Sequence, residues 1–134
     1  MAEENTETTR DQQPSFLRRG EDFESLYSNH VHFQPSEWDL KLTFGELDND
    51  PKDGRAFVDQ HTAIAVPWLQ AKIMHYFMTL QLGVYEMSHG KIPVPSAVMP
   101  PAPDPPPSDA DDATRRVIEY IAKAREEFVE STRT

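Results

Sequence analysis

From Ser25 onward apolar and polar positions alternate, with Tyr27, Asn29, Val31 and Phe33 on one face and Ser28, His30, His32 and Gln34 on the other. A period of two predicts a half-buried strand. Gln34-Pro35-Ser36-Glu37 supplies a turn, after which Trp38, Leu40, Leu42 and Phe44 resume the alternation against Asp39, Lys41 and Thr43. The two runs predict a hairpin. Glu46 to Arg55 holds Asn49, Pro51, Gly54 and several aspartates, the composition of a long acidic turn. A third strand follows over Ala56–Val66, with Val58, Ile64 and Val66 as its inward candidates.

Pro67 stands where a helix begins, since its fixed φ suits the first turn and its missing N–H has no partner to lose there. Leu69, Ile73, Phe77, Leu80, Val84 and Met87 recur at three- and four-residue spacing and so share a helix face assigned to the core. Gly90 closes the helix, because glycine takes a left-handed terminus at little cost. The predicted length is about 22 residues, or about 33 Å. Met74, Met78, Leu82 and Tyr85 form a second stripe on the other side. A three-stranded sheet covers one face only, so these four residues are candidate interface positions for a second copy of the chain, the C-terminal helix or a different protein.

The flanks differ in composition. Residues 1–24 hold seven acids and three bases with few large apolar groups, so they predict a disordered acidic arm, in which Phe16-Leu17-Arg18-Arg19 is a candidate short docking element against the favoured reading of a solvated tail with scattered hydrophobes. Eight of the 12 prolines fall within residues 93–107, which predicts an extended, semi-rigid linker carrying loose proline-x-x-proline spacings. Residues 108–134 begin with Ser108-Asp109-Ala110-Asp111, a capping-box pattern, and continue as an amphipathic helix expected over Ala110–Glu130. Its stripe is Val117, Ile121, Ala124 and Phe128, and Val117, Ile121 and Phe128 join the candidate interface positions. The expected organisation is therefore an arm (1–24), a β-β-β-α core (25–92), a linker (93–107) and a terminal helix (108–134). The fold class is α+β, a small three-stranded antiparallel sheet packed by one long helix.

Charge and cysteine content narrow the function classes. The net charge is −10, whereas proteins that grip phosphate backbones draw their affinity from Lys and Arg. Residues 25–92 carry five bases against eight acids, which ranks a nucleic-acid regulator last. With no cysteine in 134 residues, disulfides, thiolate metal sites and cysteine nucleophiles are excluded. No run approaches the roughly 20 apolar residues of a membrane span, and Met1 to Thr9 carry acids where a signal peptide carries bases. A cytoplasmic protein is expected.

The sharpest chemical candidate is His30-x-His32, two imidazoles on one strand face, with Asp59 and His61 at the same spacing on the third strand. Were those strands adjacent and in register, four N and O ligands could converge on a zinc-like ion; the competing reading is a polar, solvent-facing sheet surface. Ser28 and Ser36 lie near histidines in sequence, but no triad pattern surrounds them. Asp48-Asn49-Asp50-Pro51-Lys52-Asp53-Gly54 has the oxygen ligands of a calcium loop without its closing glutamate. Five glycines form no phosphate-binding loop. No catalytic residue and no cofactor is assigned.

Tyr27-x-Asn29-x-Val31, Trp38-Asp39-Leu40-x-Leu42-x-Phe44-Gly45, Pro67-x-x-x-Ala71 and Tyr85-Glu86-x-x-x-Gly90-Lys91-Ile92 together resemble the domain of unknown function 3467 family, small uncharacterised prokaryotic proteins, over residues 25–92. The family pattern tends to carry a serine before the helix-starting proline, where this chain has Val66. The resemblance implies a β-β-β-α unit and no activity. Asn29, in that pattern, either sets strand register or holds a ligand.

The reading that follows is a non-enzymatic interaction or assembly protein, a homodimer that binds a protein partner. The alternatives are a small metal-binding protein or enzyme using His30, His32, Asp59 and His61, and a nucleic-acid or transcription-associated regulator.

Overall fold

The computed structural model describes residues 16–49 and 56–133. The disorder expected of residues 1–15, and the carboxylates and glycine of 50–55, lie outside the described residues. Among the described residues the elements are β1 (His30–Pro35), β2 (Asp39–Asn49), β3 (Ala56–Pro67), α1 (Trp68–His89) and α2 (Asp112–Thr132), with a 3-10 turn at Ser96–Val98. The sheet is antiparallel and three-stranded in the order β1-β2-β3, so β2 is central. A long helix after the sheet and a terminal helix complete the α+β architecture expected from the sequence. The chain divides into two compact units between Ala65 and Val66.

In the first unit, β1 and β2 pair from His30↔Gly45 to Pro35↔Leu40. That register puts Val31 beside Phe44 and Phe33 beside Leu42 on one face. Leu42, 5% exposed, is the buried hydrophobic residue at the centre of this face. The turn is built by Ser36, whose amide donates to the Asp39 carbonyl at 2.9 Å while its Oγ accepts from the Trp38 and Asp39 amides at 3.1 and 3.0 Å. Trp38 consequently sits in the turn, exposed, and does not lead the apolar run of β2.

Regular pairing starts at His30, later than the alternation from Ser25 suggests, because side chains take over the ladder at that end. Ser28 Oγ accepts from the Gly45 amide at 3.2 Å and lies 2.8 Å from the carbonyls of both His30 and Gly45, to either of which it donates. Asn29 Oδ1 accepts from the Leu47 amide at 2.8 Å. Gly45 is buried, and a Cβ there would stand 2.6 Å from the Asp59 carbonyl oxygen and 2.9 Å from Val58 Cγ1. Close approach of β3 to β2 therefore requires glycine at this position.

In the second unit α1 has the expected span of 22 residues. Pro67 is its N-cap, one residue before the first helical position, and has no side-chain donor or acceptor to cap with; Val66 lies one residue earlier still, outside the capping position. Gly90, at φ 84°, ends it and donates its N–H to the Glu86 carbonyl at 2.9 Å. The Glu86 carboxylate then accepts the Ile92 amide at 2.8 Å, which fixes the exit of the chain. Helix α2 starts at Asp112, two residues after the expected position, because Asp111 and not Ser108 is the cap: its carboxylate accepts the Thr114 amide at 2.8 Å. Hydrogen bonds from the Thr114 side chain and amide hold the Asp111 carboxyl below the ordinary carboxylate value.

Candidate interaction surfaces

Helix α1 is apolar on two faces, separated on one side by Lys72, His75, Thr79 and Glu86 and on the other by Gln70, Gln81 and Ser88. A helix apolar on two faces is normally covered on both, yet none of its residues is buried. Leu69, Ile73, Phe77, Leu80, Val84 and Met87, the stripe assigned to the core from sequence, are exposed, Phe77 at 55% and Val84 at 62%. Of the candidate interface stripe, Met78, Leu82 and Tyr85 are exposed and Met74 is half-buried. The two stripes thus have similar exposure. Periodicity identifies side chains that share a face; it carries no information about which molecule covers that face.

Two aromatic contacts order this surface. Tyr76 and Phe77 meet edge to face with centroids 5.3 Å apart. Tyr85 stacks on His89 at 4.4 Å, and His89 Nδ1–H donates to the Tyr85 carbonyl at 3.1 Å. Such contacts restrict the rotamers of the rings involved.

The proline-rich segment is tied to α2 by side chains that the sequence reading did not single out. Arg125 Nε donates to the Pro100 carbonyl at 2.9 Å, and Arg115 donates to the carbonyls of Pro107, Ser108 and Ala110 at 3.2–3.3 Å. At the far end Lys91 Nζ donates to the Arg133 carbonyl at 2.7 Å. The order of these contacts runs the segment antiparallel to the helix. Pro103 and Pro106, three residues apart, are half-buried near Ile118 and Ala122, as expected for an extended chain with three residues per turn. The signal was present in composition: prolines donate no amide, so an extended proline run offers carbonyls that only side-chain donors or water can satisfy. Val117, Ile121 and Phe128 lie on the adjoining stripe of α2, displaced by one residue, and are exposed.

The first unit holds a cavity of about 550 Å³ lined by Phe23, Leu26, Phe44, His61 and Ile64 among others. His61 Nε2–H donates to the Tyr27 carbonyl at 3.0 Å, so its Nδ1 is the acceptor for the Thr62 hydroxyl at 2.8 Å. Both nitrogens are occupied by the protein. Phe16 and Leu17 are exposed, and the Arg19 guanidinium lies 4.6 Å above the Phe23 ring.

The four proposed metal ligands are divided between faces. His30 and His32 pair with Gly45 and Thr43, and Val58 lies on the Gly45 side of the sheet; alternation along β3 turns Asp59 and His61 the other way. Among the described residues no three His, Asp or Glu side chains are grouped closely enough to hold a metal ion. Ser28 and Ser36 direct their hydroxyls to the backbone and to Asp39. Asn29 is exposed, and its Oδ1 serves strand pairing through Leu47. Among the described residues no helix is long and apolar enough to cross a membrane. No family model, no curated protein and no solved structure matches the chain.

Proposed function

We propose that the chain is a non-enzymatic assembly protein of the prokaryotic cytoplasm, a homodimer that presents its exposed N-terminal Phe16-Leu17 element to a protein partner and is related to the domain of unknown function 3467 family. The observation that carries this reading is α1, apolar on two faces with no residue buried. A second copy is the occupant because each molecule brings the same unmet apolar area, and isologous pairing satisfies both at once.

Magnitudes support it. Side chains that are already half covered gain roughly 0.8–1.5 kcal/mol each on full burial, so six from each copy supply roughly 9–18 kcal/mol. Association costs roughly 4–15 kcal/mol in lost freedom. The gain is the larger over most of the two ranges, so one stripe per molecule is of the size that holding a pair requires. The net charge of −10 disfavours nucleic acid and anionic membrane surfaces as the cover for this helix.

The test is the solution mass of the full chain by light scattering coupled to gel filtration, alongside Phe77→Asp and Val84→Asp. The reading requires a mass of two chains for the parent and a shift toward one chain for either variant. A parent that stays at one chain across concentrations would overturn it.

A further inference from the structure

Helix α2 carries two stripes with different fates. Ile118, Ala122, Arg125 and Val129 are half-buried, and Ile118, Ala122 and Arg125 adjoin the proline segment. The other stripe, Val117, Ile121, Ala124 and Phe128, advances by four, three and four residues, the spacing of a heptad seam. It is exposed along its length, Val117 at 57% and Phe128 at 41%. Because the proline segment occupies the neighbouring face, this seam is the apolar surface that α2 offers outward.

We propose that the seam is closed by the same seam of a second copy lying antiparallel to it. This rests on the homodimer reading for the presence of the second copy and adds the direction and residue pairing of a specific contact. Side-chain size is the first argument. An antiparallel alignment centred between Ala122 and Lys123 sets Val117 against Phe128 and Ile121 against Ala124, large against small, so the seam keeps an even thickness. A parallel alignment sets Phe128 against Phe128 and Ala124 against Ala124, a bulge beside a void, which close-packed interfaces avoid.

Charge points the same way. Arg116 and Glu127 stand on one flank of the seam toward opposite ends of α2, while Arg115 and Arg125 are engaged by the proline segment. Antiparallel pairing brings exposed Arg116 of one copy toward exposed Glu127 of the other, whereas parallel pairing aligns arginine with arginine and glutamate with glutamate. The helix dipoles also oppose in the antiparallel form, N-terminus beside C-terminus.

The chain has no cysteine, so introduced thiols report on this contact alone. Full-length Val117→Cys and Phe128→Cys, carrying different tags, are co-expressed, oxidised mildly and compared with each variant oxidised by itself. The proposal requires interchain disulfides between the two variants and little within either alone. Linkage within each variant alone would mean parallel pairing and overturn it. Absence of every disulfide with a two-chain mass by light scattering would overturn the seam contact and leave the homodimer standing; a one-chain mass would overturn both. A charge exchange guards against damage by the cysteines: Arg116→Glu and Glu127→Lys should each weaken the dimer several-fold, and the two together in one chain should recover it. Additive weakening in the double variant would also overturn the proposal.

Discussion

Arg125 and Pro100 are 25 residues apart in the chain, and 2.9 Å separates the guanidinium Nε from the prolyl carbonyl. With Arg115 at the other end of the run, this contact converts a segment that composition reads as a spacer into a strut lying along its own helix. Replacing Arg125 with leucine removes the donor while keeping apolar bulk. We expect a loss of about 1 kcal/mol in a urea titration, the ordinary worth of one hydrogen bond, and faster hydrogen exchange at the amides of Val98 and Met99. Unchanged exchange in Arg125→Leu would show that the proline segment is held by its prolines alone.

Gly45 lies where β3 comes closest to β2. A methyl group there meets backbone oxygen at 2.6 Å, and backbone cannot turn aside as a flexible side chain can. Gly45→Ala is expected to destabilise the sheet by roughly 1–3 kcal/mol, as overpacking does in close-packed interiors. A thermal melt of this variant equal to the parent would contradict the close approach.

Asn29 extends the β1–β2 ladder with its side chain, Oδ1 accepting from Leu47 N–H. Asn29→Asp keeps the acceptor and Asn29→Ala removes it. The alanine variant should lose about 1 kcal/mol and show a shifted Leu47 amide resonance, while the aspartate variant stays near the parent. Equal behaviour of the two would remove the register role.

The Asp111 cap makes the start of α2 sensitive to acid. Its folded carboxyl titrates below the ordinary value of 3.8, so its stabilisation is complete above that value and is lost as pH falls through the folded value. The Thr114 amide should therefore stay protected from neutral pH down to about 4 and lose protection below it. Asp111→Asn caps without titrating and should abolish that acid-dependent step; persistence of the step would assign it to another group.

What was legible in the sequence follows from how local each signal is. Pro67 and Gly90 bracket α1 to the residue, since one restricts φ at the entry and the other takes positive φ at the exit. Both act within one turn of chain. Alternation places Trp38 in β2 because it cannot see that Ser36 Oγ draws the Trp38 and Asp39 amides into a turn. The start of α2 was misplaced for a similar reason: Ser108 and Asp111 both suit a cap, and only geometry selects Asp111.

The candidate surface was legible in a different sense. The sequence identified two apolar stripes on α1 and assigned one of them to a core, but exposed Phe77, Val84 and Met87 do not distinguish it from the stripe of Met78 and Leu82. Nothing in a 3.6-residue period distinguishes cover supplied by the chain itself from cover supplied by another molecule. The grip of Arg115 and Arg125 on prolyl carbonyls was missed because it spans up to 25 residues and joins a helix to a segment without periodicity.

The central claim is that α1 is covered by a second copy. The most direct measurement is the light-scattering mass of the full chain, 15.3 kDa for one copy, followed over dilution together with Phe77→Asp. The account predicts twice that mass at micromolar concentration and a fall toward one chain in the variant. A single-chain mass for the parent at every concentration would contradict it.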